Sequence, residues 1–231
     1  MTNRKVIKRR IKFFGLLILI CMILRVFVGE VCAVPSDSMY PAILAGDRLW
    51  IDYTTYGARL PRRFADIPLF NVFTWIAPLR KADEKIDWGY RRIRGRRMPE
   101  IGDMAVFESP ERQNVLLVKR ITNILNAGDT VVVNENNFEN MRRIVENEGQ
   151  RIFKRNGTLY IDGRKDSVFI VKQPLYEMRG DNTQQSHDSR NFGYIPYSNI
   201  TGRIKFVFYS IDNGKKGFQK IRWNSFFKSA K

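Results

Sequence analysis

One histidine, His187, and two cysteines, Cys21 and Cys32, serve a chain of 231 residues. With no CxxC pair and a single imidazole, a Cys/His zinc centre lacks ligands, and no metal or other cofactor is expected. Cys21 and Cys32 flank the end of an apolar run, where a bridge would close only a short local loop, so both read as free thiols. No acidic residue precedes Glu30. The charge-free run at 13–24 falls short of the roughly 20 residues that a simple bilayer span needs. Helix and strand signals do not alternate, which excludes a parallel βαβ architecture, and no repeat is found.

What is present is apolar enough to fold. Hydrophobic residues make up 44 % of the chain and aromatic ones 13 %, so a packed core is possible and wholesale disorder is excluded. Lys and Arg number 40 against 23 Asp and Glu, a net charge of +17. Such a surface favours anionic partners without choosing among head groups, nucleic acid and acidic protein. Seven basic residues stand in the first 25 positions: Arg4, Lys5, Lys8, Arg9, Arg10, Lys12 and Arg25.

Residues 1–12 form a basic flank, and residues 13–34 read as a transmembrane anchor. Arg25 can snorkel, and "VFVGEVCAV" continues mostly apolar to Val34. Glu30 is the weak point, so the span can also end near Val28. A cleavable leader is the rival reading, because Val31-Cys32-Ala33 fits a small-x-small cleavage site. Arg25 and Glu30 suit such a site badly, and cleavage would leave Ser38 near a new terminus. Six basic residues before the span predict a cytoplasmic N-terminus and an extracytoplasmic domain at 35–231.

The remainder reads as mainly β. Strands are expected at 47–53, 103–109, 115–125, 130–134 and 202–211, with an Asn156-Gly157 hairpin between "RIFKR" and "TLYIDG". Only 138–149 looks helical. Residues 54–100 stand apart, with nine arginines, Arg59, Arg62, Arg63, Arg80, Arg91, Arg92, Arg94, Arg96 and Arg97, around the apolar "IPLFNVFTWIAPL" at 67–79. That stretch reads either as an interfacial loop, with Phe70, Phe73 and Trp75 in the lipid boundary, or as a buried strand between solvated arginines. Its aromatics are not interleaved with the basic residues, so no nucleic-acid partner is expected.

Ser38, in "VPSDSMYPAILAGD", is the first candidate nucleophile, and a serine hydroxyl needs a base. His187 lies between Ser186 and Asp188 in a turn-like stretch that gives no reason to expect it at Ser38. A lysine serves instead if burial disfavours its ammonium form. In "VLLVKRI", strand alternation puts Leu117, Lys119 and Ile121 on one face, so Lys119 sits between two large aliphatics. "GDNTQQSHDSRNFGYIP" at 180–196 supplies Ser186, able to orient a neutral lysine, and Asp188 with Arg190, able to lock the loop by a charge-assisted pair.

Together, "PSDSMYP" with Gly46-Asp47, "GDMAVFESP" at 102–110, "VKRI" with "GDTV" at 128–131, and the 180–196 stretch resemble the successive motifs of the bacterial type I signal peptidases. They stand in that family's order behind an N-terminal anchor. The resemblance covers 35–53, 101–133 and 180–211 well, and 54–100 and most of 134–179 poorly.

The resemblance implies a mainly β, antiparallel catalytic domain of signal-peptidase type with an inserted β-rich cap, behind one transmembrane helix. Its core would be 35–53, 101–133 and 180–211, with insertions at 54–100 and 134–179. It implies a membrane-anchored serine endopeptidase that removes signal peptides from secretory preproteins, cutting after small-x-small residues, with membrane lipids as further partners. Ser38 would be the nucleophile and Lys119 the general base. Ser36 would hold the oxyanion through its hydroxyl, together with the Ser38 N–H. Ser186 would hold Lys119, Asp188 and Arg190 would form a supporting ion pair, and Met39 would line the substrate site. The family usually has glycine where Asp37 stands here, and "ITNILNAGD" lacks its usual Gly-x-Pro-Gly. A Ser–Lys peptidase dedicated to one substrate such as a pilin, and a non-enzymatic anchored binding domain, are the alternatives.

Overall fold

Period-two alternation of apolar residues makes strands, and here eight of the strands find one another in one main antiparallel sheet. A computed structural model of the chain describes residues 2–112, 115–147, 149–155, 157–212 and 214–230. Helix α1 spans Thr2–Phe27, and strands β1 (Gly29–Ala33) and β2 (Asp47–Asp52) follow, with the short helix α2 (Tyr53–Tyr56) after β2. Helix α3 (Ala77–Asp83) leads to β3 (Met104–Glu108), β4 (Leu116–Leu125) and β5 (Thr130–Val132). Helix α4 (Phe138–Asn147), then β6 (Ile152–Arg155), β7 (Thr158–Ile161), β8 (Arg164–Lys165), β9 (Val168–Ile170) and β10 (Leu175–Arg179) complete the middle of the chain. Helix α5 (Ser189–Phe192), β11 (Ile195–Pro196), β12 (Ile200–Ser210) and β13 (Lys228–Ser229) end it.

The main sheet runs β1-β2-β12-β3-β4-β10-β11, with β13 added beside β12. Every pairing in it is antiparallel. Met39, Ile43, Leu49, Ile51, Val106 and Val207 pack a core under the β2–β12–β3 half. Phe107, Ile121, Tyr176, Met178 and Phe192 pack a second one beside β4 and β10. Strands β3 and β4 serve both: Met104, Val106 and Val118 belong to the first, and Ala105, Phe107, Leu117 and Ile121 to the second. Residues 130–171 have a core of their own, in which Met141, Ile144 and Val145 of α4 meet Ile152 and Phe169, and carry the small sheets β5-β9 and β6-β7-β8.

Several expectations are corrected. The 13–34 anchor does not continue as helix. It ends at Phe27, and Gly29–Ala33 pairs with Asp52–Arg48 of β2. Gly29 allows the close approach, since a Cβ there would strike the Ile51 carbonyl. Glu30 stays out of any apolar slab because its carboxylate accepts from Tyr53 Oη at 2.7 Å and from Arg25 Nε at 3.0 Å. No helix among the described residues is long and apolar enough to cross a membrane. The core also extends beyond 35–53, 101–133 and 180–211, because β1 and β10 are strands of the main sheet, whereas β5 leaves it. The buried strand expected as one reading of 67–79 is not formed: Phe70–Trp75 and Ala77–Asp83 are helical turns whose apolar side chains are exposed. The β6–β7 hairpin pairs Arg155 with Thr158, and Asn156 of its turn lies outside the described residues.

Candidate active site

Residues 34–47 leave β1 and return into β2 as one closed loop. Val34 N–H donates to Asp47 O at 2.9 Å and Gly46 N–H to Val34 O at 2.9 Å, so the two ends are pinned together. Inside it, the Asp37 carboxylate accepts from the Ala45 N–H at 2.8 Å, and Asp47 accepts from the Leu44 N–H at 2.9 Å. Asp37 therefore turns inward to its own loop, while Ser38 opens the turn over 38–40 with its hydroxyl directed to Lys119.

Lys119 lies on β4 directly opposite Ala105 of β3, whose small side chain leaves it room. The lysine is 3 % exposed. Its Nζ donates to Ser38 Oγ at 2.7 Å. Burial lowers the Lys119 pKa below the usual lysine value, and the nearby Asp188 and Asp181 carboxylates oppose that without cancelling it. The shift is toward the neutral amine, the form a base beside a serine hydroxyl needs. Ser36 Oγ is 3.5 Å from Ser38 Oγ, on the exposed side of the loop.

The 180–190 segment closes the site from the third side. Gly180, the residue after β10, lies against Ser186 and the Ser38 carbonyl. Asn182 N–H donates to Ser38 O at 3.1 Å, and its side-chain amide donates to Asp37 O at 3.2 Å. Asp188 is fully buried and accepts from the Gly180 N–H at 3.0 Å and from Arg190 Nε at 2.9 Å and Nη2 at 2.8 Å. Burial alone would raise its carboxyl; the Arg190 and Gly180 donors outweigh that and hold it well below the usual carboxylate range.

The structure thus gathers Ser36, Ser38, Lys119, Ser186, Asp188 and Arg190 around one point, with two departures from expectation. Ser186 makes no hydrogen bond to Lys119. Its hydroxyl is close enough to Asp188 to help lower that carboxyl, yet it is buried without a hydrogen-bond partner among the described residues. Met39 is 1 % exposed and packs in the core under the loop, so it supports the loop instead of offering a surface to a substrate. His187 faces away, with Nε2 at 2.7 Å from Glu111. No group of acidic, His or Cys side chains among the described residues could hold a metal.

Three contributors escape a reading of side-chain chemistry alone. Arg120, next to Lys119 and on the opposite face, holds Asp181 by two hydrogen bonds of 2.8 and 2.7 Å. That pair fixes the Gly180-Asp181-Asn182 turn which carries Asn182 to the Ser38 carbonyl. The signal is the Gly-Asp-Asn at 180–182, which opens the same stretch that supplies Ser186, Asp188 and Arg190.

The chain matches the family model described as signal peptidase, peptidase S26, over residues 7–209. It is 26 % identical over 239 residues to a signal peptidase I of Rickettsia typhi, an alignment covering 90 % of this chain and 82 % of that one. It is 27 % identical over 240 residues to a signal peptidase I of Rickettsia felis, with the same coverage. A crystal structure of a signal peptidase I from Enterococcus faecalis is similar at a TM-score of 0.26 and 21 % identity, over 47 % of this chain and 97 % of that one.

Proposed function

This chain belongs to the signal peptidases of family S26 and is a serine endopeptidase, and we propose that it removes signal peptides from secretory preproteins with Ser38 and Lys119 as a catalytic dyad. The observation that carries this reading is the 2.7 Å contact between a buried lysine amine and the Ser38 hydroxyl.

Neutral Lys119 takes the Ser38 proton as Oγ attacks the scissile carbonyl. Negative charge then develops on the carbonyl oxygen. Ser36 Oγ and the Ser38 N–H are the donors for it, and one such donor is worth about 2.7–4 kcal/mol of transition-state stabilisation. The lysine proton passes to the leaving amine, and an acyl-Ser38 ester remains. Lys119, neutral again, activates a water that hydrolyses the ester and regenerates the serine. Asp188 with Arg190, and Asp181 with Arg120, keep the third wall of the site in register. Ser186, a buried hydroxyl without a hydrogen-bond partner among the described residues, is the group available to orient the lysine once Ser38 has been acylated. By family resemblance the residues at the first and third positions before the cut are small.

Membrane attachment belongs to the same proposal. The charge-free residues 13–24 of α1 are bounded by Lys12 and Arg25, whose stems can lie in apolar surroundings while their charges reach head groups. Within the helix Thr2–Phe27, Lys12 and Arg25 stand about 20 Å apart at ~1.5 Å per residue, so both side chains must snorkel outward for their charges to reach the two interfaces of a ~30 Å core. Its basic start favours a cytoplasmic N-terminus and places the catalytic domain on the outer face. Ser38 then stands close to the point where α1 leaves the bilayer, where a preprotein's cleavage site also emerges.

Cleavage of a preprotein in detergent tests the dyad. Ser38→Ala and Lys119→Ala should each abolish it, and Lys119→Arg should not restore it, because a guanidinium remains charged. A wild-type rate from either alanine variant refutes the proposal.

A further inference from the structure

The 54–100 insertion takes no part in the catalytic chemistry, yet it holds large apolar side chains out to solvent. Trp75 is 82 % exposed, Phe73 56 %, and Leu69, Ile76 and Leu79 each close to half. Scattered exposed apolar residues need no explanation, but a contiguous set on one short segment does.

The segment is built to hold this shape. The Asp83 carboxylate is buried and accepts the N–H groups of Phe64 and Ala65 at 3.0 and 3.3 Å. Arg62 grips Asp87 through two hydrogen bonds. Phe64 meets Trp88 edge-on with ring centroids 4.9 Å apart. Behind the exposed ridge lies a cavity of about 280 Å³ whose lining includes Phe64, Phe70, Phe73, Leu79 and Ile86. It is an almost wholly apolar recess, lined also by Thr74, the neighbour of Trp75 in the chain.

Charge follows directly. Arg80, Lys81 and Lys85 come next in the chain, with Glu84 among them. Among the described residues none of the three cations forms an ion pair, whereas Arg59, Arg62 and Arg63 are matched to Glu108, Asp87 and Asp66. An apolar ridge beside unmatched cations is the pattern of a surface that seats in anionic head groups. The location agrees. Arg25, the last basic residue of α1, lines a cavity of about 850 Å³ together with Arg62, Arg63 and Asn71 of the insertion. The insertion therefore stands at the foot of α1.

We propose that residues 69–85 form a second membrane contact, in which Phe73, Trp75 and Ile76 enter the acyl boundary of an anionic bilayer and Arg80, Lys81 and Lys85 engage its phosphates. This rests on α1 being the anchor. A single helix fixes height but leaves the domain free to swivel; a second contact beside the helix axis fixes which way the Ser38 loop faces.

The test uses the full chain with Trp50, Trp88 and Trp223 changed to Phe, so that Trp75 is the sole tryptophan reporter. The chain is reconstituted into phosphatidylglycerol–phosphatidylcholine vesicles brominated near the headgroup end of the acyl chains. Flotation with the vesicles reports on α1 by itself. The expected result is strong bromine quenching of Trp75 and protection from aqueous acrylamide. Quenching should be weaker in phosphatidylcholine alone and in the Arg80→Gln/Lys81→Gln/Lys85→Gln variant. A chain that floats while Trp75 stays unquenched and open to acrylamide overturns the inference and leaves the anchor standing. Protection from acrylamide without bromine quenching means that a second copy of the chain covers the ridge, which also overturns it. Equal quenching with and without the anionic lipid overturns the role given to the three cations.

Discussion

Gly180 is packed so closely on Ser186 that a Cβ at position 180 would collide with that side chain and stand 2.6 Å from the Ser38 carbonyl oxygen. Its backbone does not need left-handed freedom; the glycine is required by space. Gly180→Ala must displace either the buried Ser186 hydroxyl or the loop that carries the nucleophile. A displacement of about 1 Å at a reacting group can cost ~10²-fold in rate. Preprotein cleavage by Gly180→Ala should fall by about that factor while the far-ultraviolet circular dichroism is unchanged. An unaltered kcat would show that Ser186 and the Ser38 loop tolerate movement.

Asp37 has a structural reason to be there. Its carboxylate closes the 34–47 loop through the Ala45 N–H, 2.8 Å away, in an exposed setting. Asp37→Ala should cost about 1 kcal/mol, the typical worth of such a bond. It should therefore lower the melting temperature by ~2–4 °C in a chain of this size. Activity should drop modestly, since Ser38 remains hydrogen-bonded to Lys119 and, through its carbonyl, to Asn182. A fall in rate as large as that of Ser38→Ala would assign Asp37 a direct chemical role instead.

Much of the site was legible because its chemistry is written in side chains at fixed spacing. Alternation alone put Lys119 on the face of Leu117 and Ile121, and β4 bears that out. What alternation could not give is the long-range partner that buries it: Ala105 across the ladder, and the Gly180 turn delivered by β10, a strand that "LYEMR" conceals because only five residues pair and a bulge interrupts them. The end of α1 follows the same rule, and it falls by the alternative end near Val28 and not at Val34. "VFVGEVCAV" is apolar enough to extend a helix, and only the pairing of 29–33 with β2 makes it a strand. The 67–79 stretch shows the converse, with apolar content that suggests burial on a segment the fold leaves outside.

The buried lysine should also weigh on stability. Because burial lowers its pKa, the folded state holds fewer protons than the unfolded chain between the depressed value and the ordinary lysine value of 10.5. Stability linked to this group therefore rises with pH across that window, and below it the folded chain carries the cost of a buried charge. Lys119→Met removes the cost and keeps the length of the side chain. Its melting temperature at neutral pH should rise, by ~2–4 °C for each kcal/mol regained, while activity is lost. A lower melting temperature would mean that the Ser38 contact outweighs the desolvation.

The most direct test of the account is the rate at which a serine-directed acylating inhibitor labels Ser38, mapped by peptide mass across pH. In the wild-type chain Ser38 should be labelled, and the rate should fall as pH drops through the depressed Lys119 pKa. In Lys119→Ala it should fall by about 10²–10⁴-fold at every pH, the usual worth of a positioned base. Labelling of Ser38 as fast without Lys119, or a profile flat into strongly acidic pH, would contradict the dyad.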